Sequence, residues 1–444
     1  MQAAVILEAP WRAPEEVLSA FADEPWAVGL IGAGAGARWA YVARDPDRTL
    51  TMTADDPRDA FAALRALAGP PAPAIASGPP FQGGVVGLAS YELGDRVEPL
   101  GLARLEDWPD LACARYRSVL AFDQVGRRVW AVGRGDDDAD AAKAARRALA
   151  WVEGRPQAAQ ALHGGLDADD PDAYEAAVVE VTGRIAAGEI FQANIARRWR
   201  GRLDRRARPF DLFQRLAAAS PAPFAAYLRL ADRAVVSNSP ERFVAVEPGE
   251  DRRRAVTQPI KGTTPRGRTC QEDRVFAETL KASAKDRAEN LMIVDLMRND
   301  LARVCTPGTV KVPKLFEVER FANVHHLVST VTGELAAGRD AVDLLRAAFP
   351  PGSITGAPKV QAMRVIAGLE PPRGPFFGSI FRLGFDGAFD SSVLIRTAAF
   401  VEAADGWRVE ARAGAGIVAD SGPRAERLET ETKISALLAA LGGV

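Results

Sequence analysis

The chain has 444 residues, 48% hydrophobic and 26% charged, enough to bury a large core and ordinary for a globular protein. Its 56 basic and 58 acidic residues leave a net charge of −2, which excludes a global field drawing it onto nucleic acid or an anionic membrane. No apolar stretch approaches the roughly 20 residues that span a bilayer, and no secretory signal precedes the acidic start, so a cytoplasmic setting is expected.

In the first third, three stretches rich in Ala, Pro, Gly or Asp (Gly69 to Pro80, the run from Gly135, and Gly154 to Asp170) separate short elements. Val85–Ser90, Ser118–Phe122 and Arg128–Val132 have strand character, and Asp140–Val152 has helical propensity. GAGAGAR at Gly32–Arg38 lacks dinucleotide-loop spacing and is expected to be a flexible loop. Residues 1–165 are expected to pack on a catalytic region of residues 166–444 as one intertwined unit. From Pro171 the pattern sharpens. Asp172 and Glu175 suggest an acidic capping box, Tyr174, Val178, Val181 and Ile185 recur at helical spacing, and Gly188 ends the helix. Ile190–Ala196 follows as a strand. A helix is expected from about Gln271, and a last one from Pro423 to about Leu441.

Two of these helices carry acids where a core would exclude them. Met292, Ile293 and Leu296 share a helical face with Glu289, and a carboxylate on such a stripe needs a cation or hydrogen bonds. Glu426, Glu429 and Lys433 share a face of the last helix. Each set has a bland explanation, a buried pair with an arginine or ordinary surface ion pairs. If both helices point at one cleft, Glu289 and Glu429 would make an oxygen-only site suited to Mg²⁺. His163, His325 and His326 are badly spaced for zinc, as are Cys113, Cys270 and Cys305, which also offer no disulfide framework. Glycine-rich loops at Gly352–Lys359, Gly378–Ile380 and Ala413–Val418 can bring backbone N–H groups near an anion, with Thr355 and Lys359 as added donors. Arg396 could grip a carboxylate in bidentate fashion.

SPERFV at Ser239–Val244, PIKGTTPRG at Pro259–Gly267, DRAENLMIVDLMRNDLARV at Asp286–Val304, HLVSTVTGEL at His326–Leu335, FPPGSITGAPKVQAM at Phe349–Met363, DSSVLIRTA at Asp390–Ala398 and the stretch Gly414–Lys433 follow one another in order. Together they resemble the chorismate-utilising enzymes, a family that includes anthranilate, aminodeoxychorismate, isochorismate and salicylate synthases. GGVVGLASYELGDR at Gly83–Arg96 extends a weaker likeness towards the N-terminus.

The resemblance implies an α+β fold of two large stacked antiparallel sheets flanked by helices. It implies Mg²⁺ held by Glu289 and Glu429 with Glu426 close by, and chorismate lined by His326, Thr355, Arg396, Gly414 and Lys433, with Thr263 and Gly416 beside them. Glu241 matches the family's general acid, although alone it could simply pair with Arg242. Lys261 stands where anthranilate synthases typically carry alanine and aminodeoxychorismate synthases lysine. Its implied role is a covalent nucleophile at C2, the alternative being a pairing with a substrate carboxylate. Gln192 stands where the water-adding relatives carry lysine, and an amide is no general base, so ammonia is the expected nucleophile. Where the family often has tyrosine, this chain has Phe376 and then Phe377. No cysteine has a nucleophile-like setting. Ammonia is therefore expected from a separate class I glutamine amidotransferase, and an aminodeoxychorismate lyase is expected downstream. The alternatives are anthranilate formation and a non-catalytic binding homologue.

Overall fold

The computed structural model describes residues 3–34, 37–162, 164–247, 253–321 and 324–442; His163 and the middle of the Gly32–Arg38 loop lie outside them. Among the described residues the strands form two antiparallel sheets, one of twelve strands and one of ten. A single apolar core joins them: Tyr41, Ala226 and Val235 of the larger sheet cluster with Val85, Phe243 and Ile380 of the smaller. On the larger sheet's other side, Phe122 and Phe400 pack with Trp151, Phe210, Phe213 and Ile434 from the flanking helices. Helices Ala60–Ala68, Ala284–Ala302 and Ala341–Ala348 pack on the smaller sheet. The α+β fold of stacked sheets with helices outside is therefore as expected.

Both sheets draw on both parts of the chain. Val28–Leu30 pairs with Phe224–Arg229 in the larger sheet, and Gly84–Ala89 pairs with Ser379–Gly384 in the smaller. The three cysteines are free, two of them buried. No described helix is long and apolar enough to cross a membrane.

Three expectations need correction, each for a local reason. The helix Pro171–Ala186 is capped by Asp170, whose carboxylate accepts the Asp172 N–H, because Pro171 occupies the first turn and leaves Asp172 inside it. The strand expected at Ile190–Ala196 is instead Gln192–Asp204. Its second half alternates buried Trp199 and Leu203 with arginines that find acids outside: Arg198 meets Asp169 at 3.0 Å and Arg202 meets Asp405 at 2.7 Å. The helix expected from Gln271 is two helices, Cys270–Ala282 and Ala284–Ala302. Ser283 ends the first and caps the second, accepting the Asp286 N–H, and the new axis carries Glu289 to the sheet edge.

Candidate active site

The motif strand Ile260–Pro265 pairs with Val324–Glu334, placing Thr263 opposite His326, and their side chains share a 2.8 Å hydrogen bond. The register breaks between Ile260 and Thr263, at Gly262, whose φ of 86° suits glycine. A Cβ at Gly262 would stand 2.9 Å from the Asp286 carboxylate. Lys261 in this irregular stretch reaches the larger sheet. Its Nζ lies 2.7 Å, and the Gln192 Nε2 3.0 Å, from the position a Cβ on Gly416 would take. Glycine at 416 thus keeps room for the amine and the amide. A Gly416→Ala variant is expected to fold, because both crowding atoms end flexible side chains, yet to lose about tenfold or more in kcat as Lys261 is displaced. Thermal melting beside steady-state kinetics checks this.

The acids of the two helices come close enough for Glu289 and Glu429 to feel each other's charge. Glu289 faces Lys261 at 3.8 Å and Lys285 at 4.0 Å, so its partners are lysines and not the arginine of the bland explanation. Burial pushes the Glu289 carboxyl up, opposed by those lysines and reinforced by Asp286 and Glu429. Burial also raises Glu426, whose carboxylate accepts the Ser421 hydroxyl at 2.7 Å. Burial works against an ionised Glu429 too, but Lys433 at 2.6 Å overrides it and holds that carboxyl below its ordinary value. The Lys433 ammonium also donates to the Gly414 carbonyl at 2.9 Å. Among the described residues no three His, Cys, Asp or Glu side chains converge into a metal-binding group. One Glu426 carboxylate oxygen is engaged by the Ser421 hydroxyl.

Glu241 is buried, and its carboxyl is pushed up to about 7 by desolvation, against the Ser353 hydroxyl, Lys261, the Ile260 backbone and Lys433. The pairing with Arg242 does not form, since Arg242 binds Asp390 at 2.9 Å and Gln258. Burial, then the nearby Arg396 charge, pushes His326 down to about 3, so it is a neutral imidazole at physiological pH. Its Nε2 has no partner among the described residues, nor do either of the Gln192 amide atoms. Buried polar groups are rarely left so. Arg396 has φ 52°, and burial lowers its pKa against the Glu241 charge.

Thr355 is fully buried and donates its hydroxyl to the Pro351 carbonyl. Lys359 does not serve the ligand loop: its ammonium binds Asp300 at 2.7 Å and the Ala348 carbonyl at 2.6 Å. Phe376 and Phe377 are both buried, against the guanidinium groups of Arg412 and Arg373 respectively. Sequence reasoning missed Lys285, one helical turn before Glu289, as well as Ser353 and Asn194. The first was open to i, i+4 counting; the other two needed strand register and loop packing. A separate cavity of about 520 Å³ between the sheets, lined in part by Trp39, Tyr41, Arg382 and Asp390, contains none of the expected site residues.

The family profile of the chorismate binding enzymes matches residues 22–439 of the chain. The chain belongs to that family and is a chorismate-utilising enzyme. It is 43% identical to aminodeoxychorismate synthase component 1 of Salmonella typhimurium, over 88% of this chain and 84% of that one. It is 42% identical to anthranilate synthase component 1 of Streptomyces coelicolor, over 92% and 81%. The structure of anthranilate synthase component I from Streptococcus pneumoniae superposes with a TM-score of 0.79 at 28% identity, covering 91% of this chain and 93% of that one. Overall identity thus does not separate the two aminating activities.

Proposed function

We propose that this chain aminates chorismate at C4, giving 4-amino-4-deoxychorismate for p-aminobenzoate and folate synthesis in the cytoplasm. The observation that carries the reading is Lys261, whose amine stands with the Gln192 amide beside Gly416 and faces Glu289. Glu241, kept protonated near neutrality by burial, protonates the C4 hydroxyl, which leaves as water while the amine of Lys261 bonds to C2. Ammonia then attacks C4, the C2–N bond to Lys261 breaks, and the surplus proton on the new amine returns to Glu241. Arg396 and the neutral His326 hold the substrate's polar groups.

Glu289 and Glu429 suit Mg²⁺, which is usually held by one or two carboxylates with water and substrate completing its shell. When bound, the ion would neutralise the acids and attract the substrate's ring carboxylate. A separate class I glutamine amidotransferase is the proposed ammonia source, and an aminodeoxychorismate lyase the enzyme that consumes the product.

The deciding assay supplies purified protein with chorismate, ammonium and Mg²⁺, with and without added aminodeoxychorismate lyase. p-Aminobenzoate is expected only with lyase, and removing Mg²⁺ with a chelator is expected to abolish it reversibly. Fluorescent anthranilate without lyase would instead assign the chain to the second reading, which the Streptomyces coelicolor relative supports.

A further inference from the structure

The helix Ala284–Ala302 starts from its Ser283 cap, and Lys285 is its second residue. A cation is disfavoured there, because the N-terminal end of a helix carries positive potential. Lys285 also precedes Glu289 by four residues, the less favourable order for an i, i+4 pair of opposite charge. Helix stability therefore gives no reason for a lysine at this position. What faces it is acid. The Lys285 Nζ stands 4.0 Å from one Glu289 oxygen, and the Lys261 Nζ stands 3.8 Å from the other. The Lys285 charge is felt at Glu426 and Glu429 as well.

Three lysines thus stand by these acids, and they are held differently. Lys433 is fixed by Glu429 at 2.6 Å and by the Gly414 carbonyl at 2.9 Å. The Lys261 side chain is 13% exposed and lies beside Gly416. The Lys285 side chain is 53% exposed, and its 4.0 Å gap to Glu289 is longer than a hydrogen bond. A hydrated ammonium on a flexible four-carbon stem leaves such a position at little cost.

A divalent cation held by Glu289 and Glu429 would compete with that ammonium for the same acids. We propose that Lys285 is the displaceable counter-ion of this metal site: it balances the acids until the ion enters, then yields, and so sets how much Mg²⁺ the protein needs. The proposal rests on the Mg²⁺ reading above. Even at the dielectric of water, a unit charge about 6 Å from a divalent ion weakens its binding about tenfold. That repulsion sets the size of the expected effect.

The experiment follows thermal melting of the substrate-free protein over a series of Mg²⁺ concentrations at constant ionic strength. It compares the wild type with Lys285→Gln, Lys285→Met and Lys285→Arg. A bound ion raises Tm by mass action, so the Mg²⁺ concentration that gives a set rise reads affinity without any turnover. The two neutral variants are expected to need about tenfold less Mg²⁺ than the wild type. Lys285→Arg keeps the charge and should need about as much as the wild type. Neutral variants that need as much Mg²⁺ as the wild type, or more, overturn the proposal. So does an arginine variant that behaves like them, or loss of cooperative melting in both neutral variants. Glu289→Gln is melted in parallel and is expected to lose the Mg²⁺ response. A wild type that never responds, or a Glu289→Gln variant that responds as the wild type does, overturns the Mg²⁺ reading itself, a result distinct from any difference among the Lys285 variants.

Discussion

Lys261→Ala is expected to cut formation of the C4-aminated product by roughly 10⁴-fold, the scale on which removal of a covalent nucleophile is felt. The chorismate KM is expected to move little, because the other substrate-facing groups remain. Folding should survive. The side chain is mostly buried, but its ion pair with Glu289 is long, at 3.8 Å, and Lys285 still faces that carboxylate from the helix. The space vacated by the amine lies over C2 in the proposed pose, so residual turnover should place ammonia there and give the C2-aminated isomer, which becomes anthranilate on loss of pyruvate. Product separation after single-turnover mixing checks both statements. A variant retaining wild-type rates of C4 amination would leave Lys261 as a carboxylate-pairing charge and remove the covalent step.

Glu241→Gln should separate catalysis from stability. The amide cannot protonate a leaving hydroxyl, so kcat is expected to fall by about 10²–10⁴-fold. Stability moves the other way with pH. The folded carboxyl sits at about 7, above its ordinary 4.5, so the folded protein holds this proton more tightly than the unfolded chain. The resulting stabilisation is fully present below pH 4.5 and is lost as pH rises through 7. A glutamine in its place carries no such loss. Above pH 7 the variant is expected to gain on the order of 3 kcal/mol over the wild type, and below pH 4.5 the difference should vanish. Chemical denaturation at a series of pH values reads the gap directly. By the same titration, the acid-dependent limb of wild-type kcat/KM is expected to decline as pH rises through about 7, because the carboxyl must be protonated to act.

Much of the smaller architecture was legible from pattern alone. Ser118–Asp123 and Arg128–Gly135 are short runs of buried β-branched and aromatic residues, and the helix Pro423–Ala440 begins at its proline as expected. The strand Gln192–Asp204 was legible only in its apolar half. Its arginines look like loop until Asp169 and Asp405 arrive from elsewhere to pair with them. The break at Ser283 was hidden for a similar reason. Both flanking segments favour helix, and one capping hydroxyl decides where the axis turns.

In the site, the sequence by itself determined the chemical inventory: the acids Glu241, Glu289, Glu426 and Glu429, the amine of Lys261, the amide of Gln192 and the glycines between them. Residue type and ordered motifs suffice for that, because functional groups belong to single residues. Tertiary structure alone decided which of them act together. It turned Lys359 away to Asp300, tied Glu426 to Ser421, sent Arg242 to Asp390 and left Glu241 in surroundings dry enough to hold its proton near neutrality. It also set Asn194 beside Gln192 and opposite Gly416. Pairings of this kind join residues as much as 222 positions apart, as Asn194 and Gly416 are, and depend on sheet register and burial. Both are properties of the packed chain, since desolvation and proximity arise only when distant strands meet.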